Sequence, residues 1–228
     1  MIWYLKDLSN AKDRKTFRIN VEYDHVYKLM WSPDSKAILG FKAMENVIEA
    51  YRVEKKDGVF MSYAKSITFQ RAHENDDIIS LDISCNGKFI LSANNKTELI
   101  LWDVRGNILD RLDTFLMSNY AAKISPCARF IAASGFAPDV KLWEVKFSKG
   151  PAGVYEKTIR AFELTGHNTG VWDFAFDHDG SHVATVCKDG SFKLFDIKSE
   201  ISLVVKLSND FYSHSQSITF EANLLDVF

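Results

Sequence analysis

Four polar corners recur along the chain, each followed at a nearly fixed distance by a large aromatic residue. The corners are Ser32-Pro33-Asp34-Ser35-Lys36, Ser84-Cys85-Asn86-Gly87-Lys88, Ser125-Pro126-Cys127-Ala128-Arg129 and Asp177-His178-Asp179-Gly180-Ser181. Tyr51, Trp102, Trp143 and Phe195 stand 19, 18, 18 and 18 positions after the first residue of their corners, whereas successive corners lie 52, 41 and 52 residues apart. A unit of constant length followed by a connection of variable length is the mark of a tandem repeat whose copies bury apolar faces against their neighbours.

Within each unit the apolar residues alternate at a period of two, as in Ile79, Leu81 and Ile83 or Leu99 and Leu101. That period predicts strands, and helical spacing is absent. In the last unit the expected strands are 171–176, 182–187 and 191–197, with Lys188-Asp189-Gly190 as the turn between the second and third. A fourth strand follows each unit, as at 108–112 and 158–164. Four antiparallel strands every 40 to 50 residues predict an all-β chain of propeller blades.

The composition narrows the function. The 228 residues are 46% hydrophobic and 25% charged, a profile of a folded, water-soluble chain rather than a disordered one. Apolar runs are too short to cross a bilayer, and no secretory leader is present, so a soluble, cytoplasmic chain is expected. With 28 Lys+Arg against 30 Asp+Glu, the net charge of -2 supplies no field for holding a nucleic acid. Cys85, Cys127 and Cys187 form no close pair, and the six histidines make no ligand motif, so neither a disulfide framework, a metal nor a cofactor is expected.

The last unit carries Gly166-His167, then 183–190 with Thr185 and Asp189, then Lys193-Leu194-Phe195-Asp196; the second and third units close on Trp102-Asp103 and Trp143-Glu144. In these features the chain resembles the WD40 repeat family. The resemblance implies an incomplete WD40 β-propeller of about four full blades, with partial blades at both ends. It also implies a hydrogen-bonded set in each blade, made by a His before the first strand, a Ser or Thr in the second, an Asp in the turn and the closing Trp. His167, Thr185 and Asp189 match those places, with Phe195 removing the indole donor. His73, Ser92 and Trp102 match them in the second unit, where Asn95-Lys96 stands in place of the Asp. In the first and third units Glu22 and Phe115 stand where the His would be, so those blades are expected to be held mainly by apolar packing.

The resemblance extends over 2–198 to one branch of the family, carried by 20–25, 134–145 and 160–167, none of which the blade pattern requires. It implies a partial chain divided as follows: the end of a truncated blade at 1–24, blades at 25–71, 72–115, 116–165 and 166–207, and the start of a further blade at 208–228. It also implies association with the endoplasmic reticulum and a part in its stress response, with a stress kinase as partner, although no membrane anchor is expected in this chain.

His167 and Asp189 fit a structural role better than a catalytic pair, because no motif places a nucleophile with them, and no enzymatic activity is expected. Five residues before each corner lie Tyr27, Ile79, Tyr120 and Trp172. Tyr27, Tyr120 and Trp172 would sit at the starts of innermost strands and form an aromatic partner-binding rim, with filling between blades as the alternative. The long connections 54–64 and 146–156 are read as ordinary variation in hairpin length or, alternatively, as partner-binding loops with Lys55, Lys56 and Lys149 as contact residues. The expected function is a non-catalytic protein-interaction scaffold. The alternatives are an adaptor in another complex, such as a ubiquitin ligase or ribosome-associated assembly, and a propeller enzyme.

Overall fold

In the computed structural model, described for residues 1–4, 16–73, 76–148 and 153–197 and for the backbone of 202–203, every regular element is a strand. The expected start of a further blade at 208–228 and Lys149 lie outside the described residues. The chain divides into two compact units, Met1–Glu74 and Asn75–Phe228.

The first unit holds a short pair, β1 (Ile2–Trp3) with β2 (Thr16–Phe17), and a four-stranded antiparallel sheet of β3 (Val26–Trp31), β4 (Ala37–Lys42), β5 (Val47–Lys56) and β6 (Val59–Thr68). The second unit holds three such sheets. They are β7 (Ile78–Ile83) to β10 (Ile108–Asp113) through β8 (Phe89–Asn94) and β9 (Glu98–Asp103); β11 (Asn119–Ile124) to β14 (Tyr155–Leu164) through β12 (Phe130–Gly135) and β13 (Val140–Phe147); and β15 (Val171–Phe176) to β18 (Ser202–Leu203) through β16 (His182–Cys187) and β17 (Phe192–Asp196). Every sheet keeps its strands in chain order, as a propeller blade does.

The repeated corner owes its constancy to one turn built four times. The first residue's N–H donates to the carbonyl five residues on, at 2.9, 3.0, 2.8 and 3.1 Å for Ser32, Ser84, Ser125 and Asp177. Its side-chain oxygen accepts from the backbone N–H of that same residue, at 2.8 Å for Ala37, 3.0 Å for Phe89, 2.9 Å for Phe130 and 3.0 Å for His182. The fourth residue lies in the left-handed region in each case: Ser35, Gly87, Ala128 and Gly180 have φ of 56, 65, 55 and 71°. A short polar first residue and a left-handed fourth one therefore set the register of each first hairpin.

Within 54–64 the two strands run on to a tight turn. Val47–Lys56 pairs with Val59–Thr68 across a two-residue turn in which Asp57 and Gly58 have φ of 51 and 78°. Both positive angles suit the right-handed twist of the strands, so the pairing continues to the turn. Lys55 and Lys56 are accordingly the last residues of β5, opposite Phe60 and Val59, and not loop residues. In the other stretch Val140–Phe147 pairs with Tyr155–Leu164.

In the second unit the first strands β7, β11 and β15 pack beside one another, and the middle sheet, β11 to β14, is covered on both faces. Leu91, Ala93, Leu101, Ala122, Ile131 and Trp143 fill one inter-sheet layer; Ala132, Leu142, Phe174, Val183 and Phe195 fill the next. Polar ties run through these layers as well. Asp82 accepts from the Ile124 N–H at 2.8 Å, Ser80 Oγ accepts from the Ala122 N–H at 3.0 Å, and Lys123 pairs with Asp173 at 2.8 Å.

Candidate partner-binding surface

The polar groups near the strand ends are largely engaged within the blades. His167 Nε2 lies 2.7 Å from Thr185 Oγ1, which lies 3.3 Å from the Lys193 carbonyl. Burial, and then the charge of Lys193, lower the imidazole pKa, favouring the neutral ring. Asp189 reaches His167 through Ser191, which lies 2.5 Å from the carboxylate and 3.3 Å from Nδ1. In the second sheet Trp102 Nε1 donates to Ser92 Oγ at 2.8 Å. His73 is buried in the first unit, its carbonyl accepting from Asn46 Nδ2 at 2.6 Å.

The first and third sheets are not held by apolar packing alone. Glu49, only 1% exposed, receives the Tyr51 hydroxyl and the Lys65 ammonium and lies 3.7 Å from Lys42 Nζ. Burial alone would raise the Glu49 carboxyl, yet the hydrogen bonds from Lys65 and Tyr51 and the charge of Lys42 outweigh it and hold the group below the usual carboxylate range. In the third sheet Lys141 Nζ donates to the Thr114 carbonyl at 2.9 Å, and Thr114 Oγ1 donates to Asn119 Oδ1 at 2.7 Å. Lys193 makes the corresponding bond to the Gly166 carbonyl. Glu49, Lys141 and Lys193 each precede the closing aromatic by two residues. Period-two geometry puts such a residue on the same face as the aromatic, a signal the sequence carries.

The candidate rim residues divide between the units. Tyr27, on β3 of the first unit, is exposed, with His25 edge-on at 5.1 Å. Tyr120 and Trp172, at the second positions of β11 and β15, stack with centroids 4.9 Å apart and planes 29° from parallel. Three turns close around this pair, and two glycines permit their approach. A Cβ on Gly135 would fall 2.0 Å from the Ser118 carbonyl oxygen, and one on Gly170 would fall 2.9 Å from the carbonyl oxygens of Gly135 and Phe136. The Lys188 N–H then donates to the Gly170 carbonyl at 3.0 Å, bringing its side chain over the rings.

Lys188 Nζ lies 4.6 Å from the Trp172 centroid, 4.8 Å from that of Tyr120 and 5.2 Å from that of Phe136, and donates to Tyr120 Oη at 2.8 Å. Ammonium over aromatic faces is attracted by the ring quadrupoles. Sequence reasoning singled out Tyr120 and Trp172 but not Lys188 or Phe136, because these stand on turns of two other hairpins. On the opposite hairpin end of the first sheet, Lys55 Nζ lies 4.6 Å from the Phe60 centroid and 5.8 Å from that of Trp31, while Lys56 is exposed.

The family model described as WD domain, G-beta repeat matches residues 64–103 and 158–196. Transducin beta-like protein 2 of Mus musculus and that of Homo sapiens are each 38% identical to the chain over 200 residues, covering 87% of it and 44% of their own length. The chain thus spans under half the length of these curated relatives. Among solved structures, that of the RRP9 WD40 repeats superposes with a TM-score of 0.56 at 17% identity, over 82% of this chain and 52% of the other.

Proposed function

Since the chain belongs to the WD40 repeat family, we propose that it is a non-catalytic protein-interaction scaffold with a docking rim centred on Tyr120 and Trp172. The observation that carries this reading is the stacked pair itself: two large side chains, Trp172 exposed, each set at a register shift near the start of its strand and held against the other. A rigid aromatic anchor loses little conformational freedom when a partner covers it. Candidate acid and base groups have structural duties instead, His167 toward Thr185 and Asp189 toward Ser191. The blades serving this scaffold are 25–71, 72–115, 116–165 and 166–207.

By the resemblance already drawn from the sequence, the process is endoplasmic-reticulum stress signalling, with association at that membrane and a stress kinase as the partner. No helix among the described residues is long and apolar enough to cross a membrane. The test is to express the tagged chain in stressed cells and compare the proteins retained by the native sequence and by Trp172→Ala. Retention of a stress kinase by the native chain and its loss in the variant, at an unchanged melting temperature, is expected. Equal retention by both would place the docking surface elsewhere.

A further inference from the structure

The rim has a chemistry that narrows what can dock there. Lys188 holds its ammonium over three rings and on the Tyr120 hydroxyl, yet pairs with no carboxylate among the described residues. Around it the surface is apolar: Trp172 is 41% exposed and Phe136 52%, and the neighbouring loop adds Phe115 at 71% and Met117 at 75%.

That loop is built to keep its side chains outward. Phe115 and Met117 have φ of 53 and 66°, a region costly for any residue but glycine, and Leu116 between them is completely buried. The loop is fastened to the rim by the Phe136 N–H donating to the Ser118 carbonyl at 2.9 Å and the Ala137 N–H donating to that of Leu116 at 3.3 Å. A second ammonium backs it, Lys141 Nζ lying 5.9 Å from the Phe115 centroid, with Glu163 as its own counter-charge at 3.8 Å. The patch therefore presents apolar anchors around the Lys188 ammonium.

We propose that the surface formed by Phe115, Met117, Tyr120, Phe136, Trp172 and Lys188 binds an acidic peptide segment with an apolar anchor, the partner's carboxylate pairing with Lys188. This deepens the scaffold reading and rests on it. Lys188 is already ordered by the rings, so an arriving carboxylate gains a charge-assisted hydrogen bond without first immobilising a lysine. An arriving ammonium would have to displace Lys188 and would recover only the contacts it broke. A polyanion such as a nucleic acid needs a row of basic groups, which a chain of net charge -2 with one unpaired lysine at this rim does not offer.

The experiment uses the full chain and three fluorescein-labelled peptides read by anisotropy: Glu-Glu-Phe-Glu-Glu-Leu-Glu and its counterparts with Gln or Lys in place of every Glu. The Glu peptide should bind at least about fivefold more tightly than the Gln peptide and lose about tenfold on Lys188→Gln, with Lys188→Arg retaining most of the affinity. Trp172→Ala should abolish binding while a thermal melt shows the fold intact. Phe136→Ala repeats the test should Trp172→Ala fail to fold. Binding should also weaken as salt rises from about 50 to about 300 mM.

Equal binding of the Glu and Gln peptides, preference for the Lys peptide, indifference to Lys188→Gln, or no binding of the Glu peptide at millimolar concentration would each overturn the proposal. If the peptides fail while Trp172-dependent retention of a cellular protein persists, the acidic chemistry falls and the scaffold reading stands. If that retention fails as well, both fall.

Discussion

Glu49 shows how a single residue can replace a motif. Its carboxylate is buried beside Tyr51, the closing aromatic of the first sheet, with Lys65 and Lys42 as counter-charges. Its pKa is depressed in the folded chain, so its contribution to stability is fully present above the unfolded value of about 4.3 and is lost as pH falls through the lower folded value. Glu49→Gln should melt lower than the native chain at pH 7, by about 2 kcal/mol in stability, because two ammonium groups lose their anion. That gap should narrow as pH is taken from about 5 to about 3, since the native Glu49 then becomes neutral too. Melting curves across this range check the prediction, and a constant gap would contradict it. The His167–Thr185 contact was legible because both residue types occupy family positions; the Glu49 cluster was not, because Lys42, Glu49 and Lys65 come from three strands and individually read as solvent-facing.

At the scale of elements, the corner turn explains why the spacing from polar corner to aromatic hardly varies while the connections do. The turn's backbone demands a left-handed fourth residue, which glycine meets without cost and serine does not. Ser35 is exposed, so Ser35→Gly should relieve strain without emptying the core and raise stability by up to about 1 kcal/mol. Gly87→Ala is the opposite test: a Cβ there meets no atom within 4 Å, so its expected loss of about 1 kcal/mol would come from backbone conformation alone. Thermal or urea unfolding of the two variants should move in opposite directions. The first hairpins were readable from these corners. The length of the third-to-fourth strand hairpin in the first sheet was harder to read, because Lys55, Lys56, Asp57 and Gly58 look like a polar loop until the two positive φ angles reveal a tight turn with strand on both sides.

Across the second unit, the sheets act as a scaffold only if they keep their positions, and the ties between first strands bear on that. In β8 every residue is buried, so the alternation of apolar residues that marks the strands does not by itself reveal that both of its faces are covered. The polar ties were hidden, since Ser80, Asp82 and Lys123 occupy strand positions that read as outward-facing in a single sheet. Asp82 accepts the N–H groups of Ile83, at 2.9 Å, and of Ile124 in the next sheet, at 2.8 Å. Burial raises its pKa, with the two backbone donors and Lys123 only partly opposing. The sign is therefore opposite to that of Glu49: the folded state gains from a protonated Asp82, and that gain is lost as pH climbs from about 3.9 through the higher folded value. An amide at this place keeps an acceptor oxygen for Ile124 and sheds the cost of a buried charge. Asp82→Asn should thus melt at or above the native chain at pH 7, whereas Asp82→Ala, which strands the Ile124 N–H, should lose about 2 kcal/mol. Hydrogen exchange should show the Ile124 amide losing protection in the Ala variant and keeping it in the Asn variant. Equal destabilisation by both would mean that the negative charge itself, and not the acceptor, joins these two sheets.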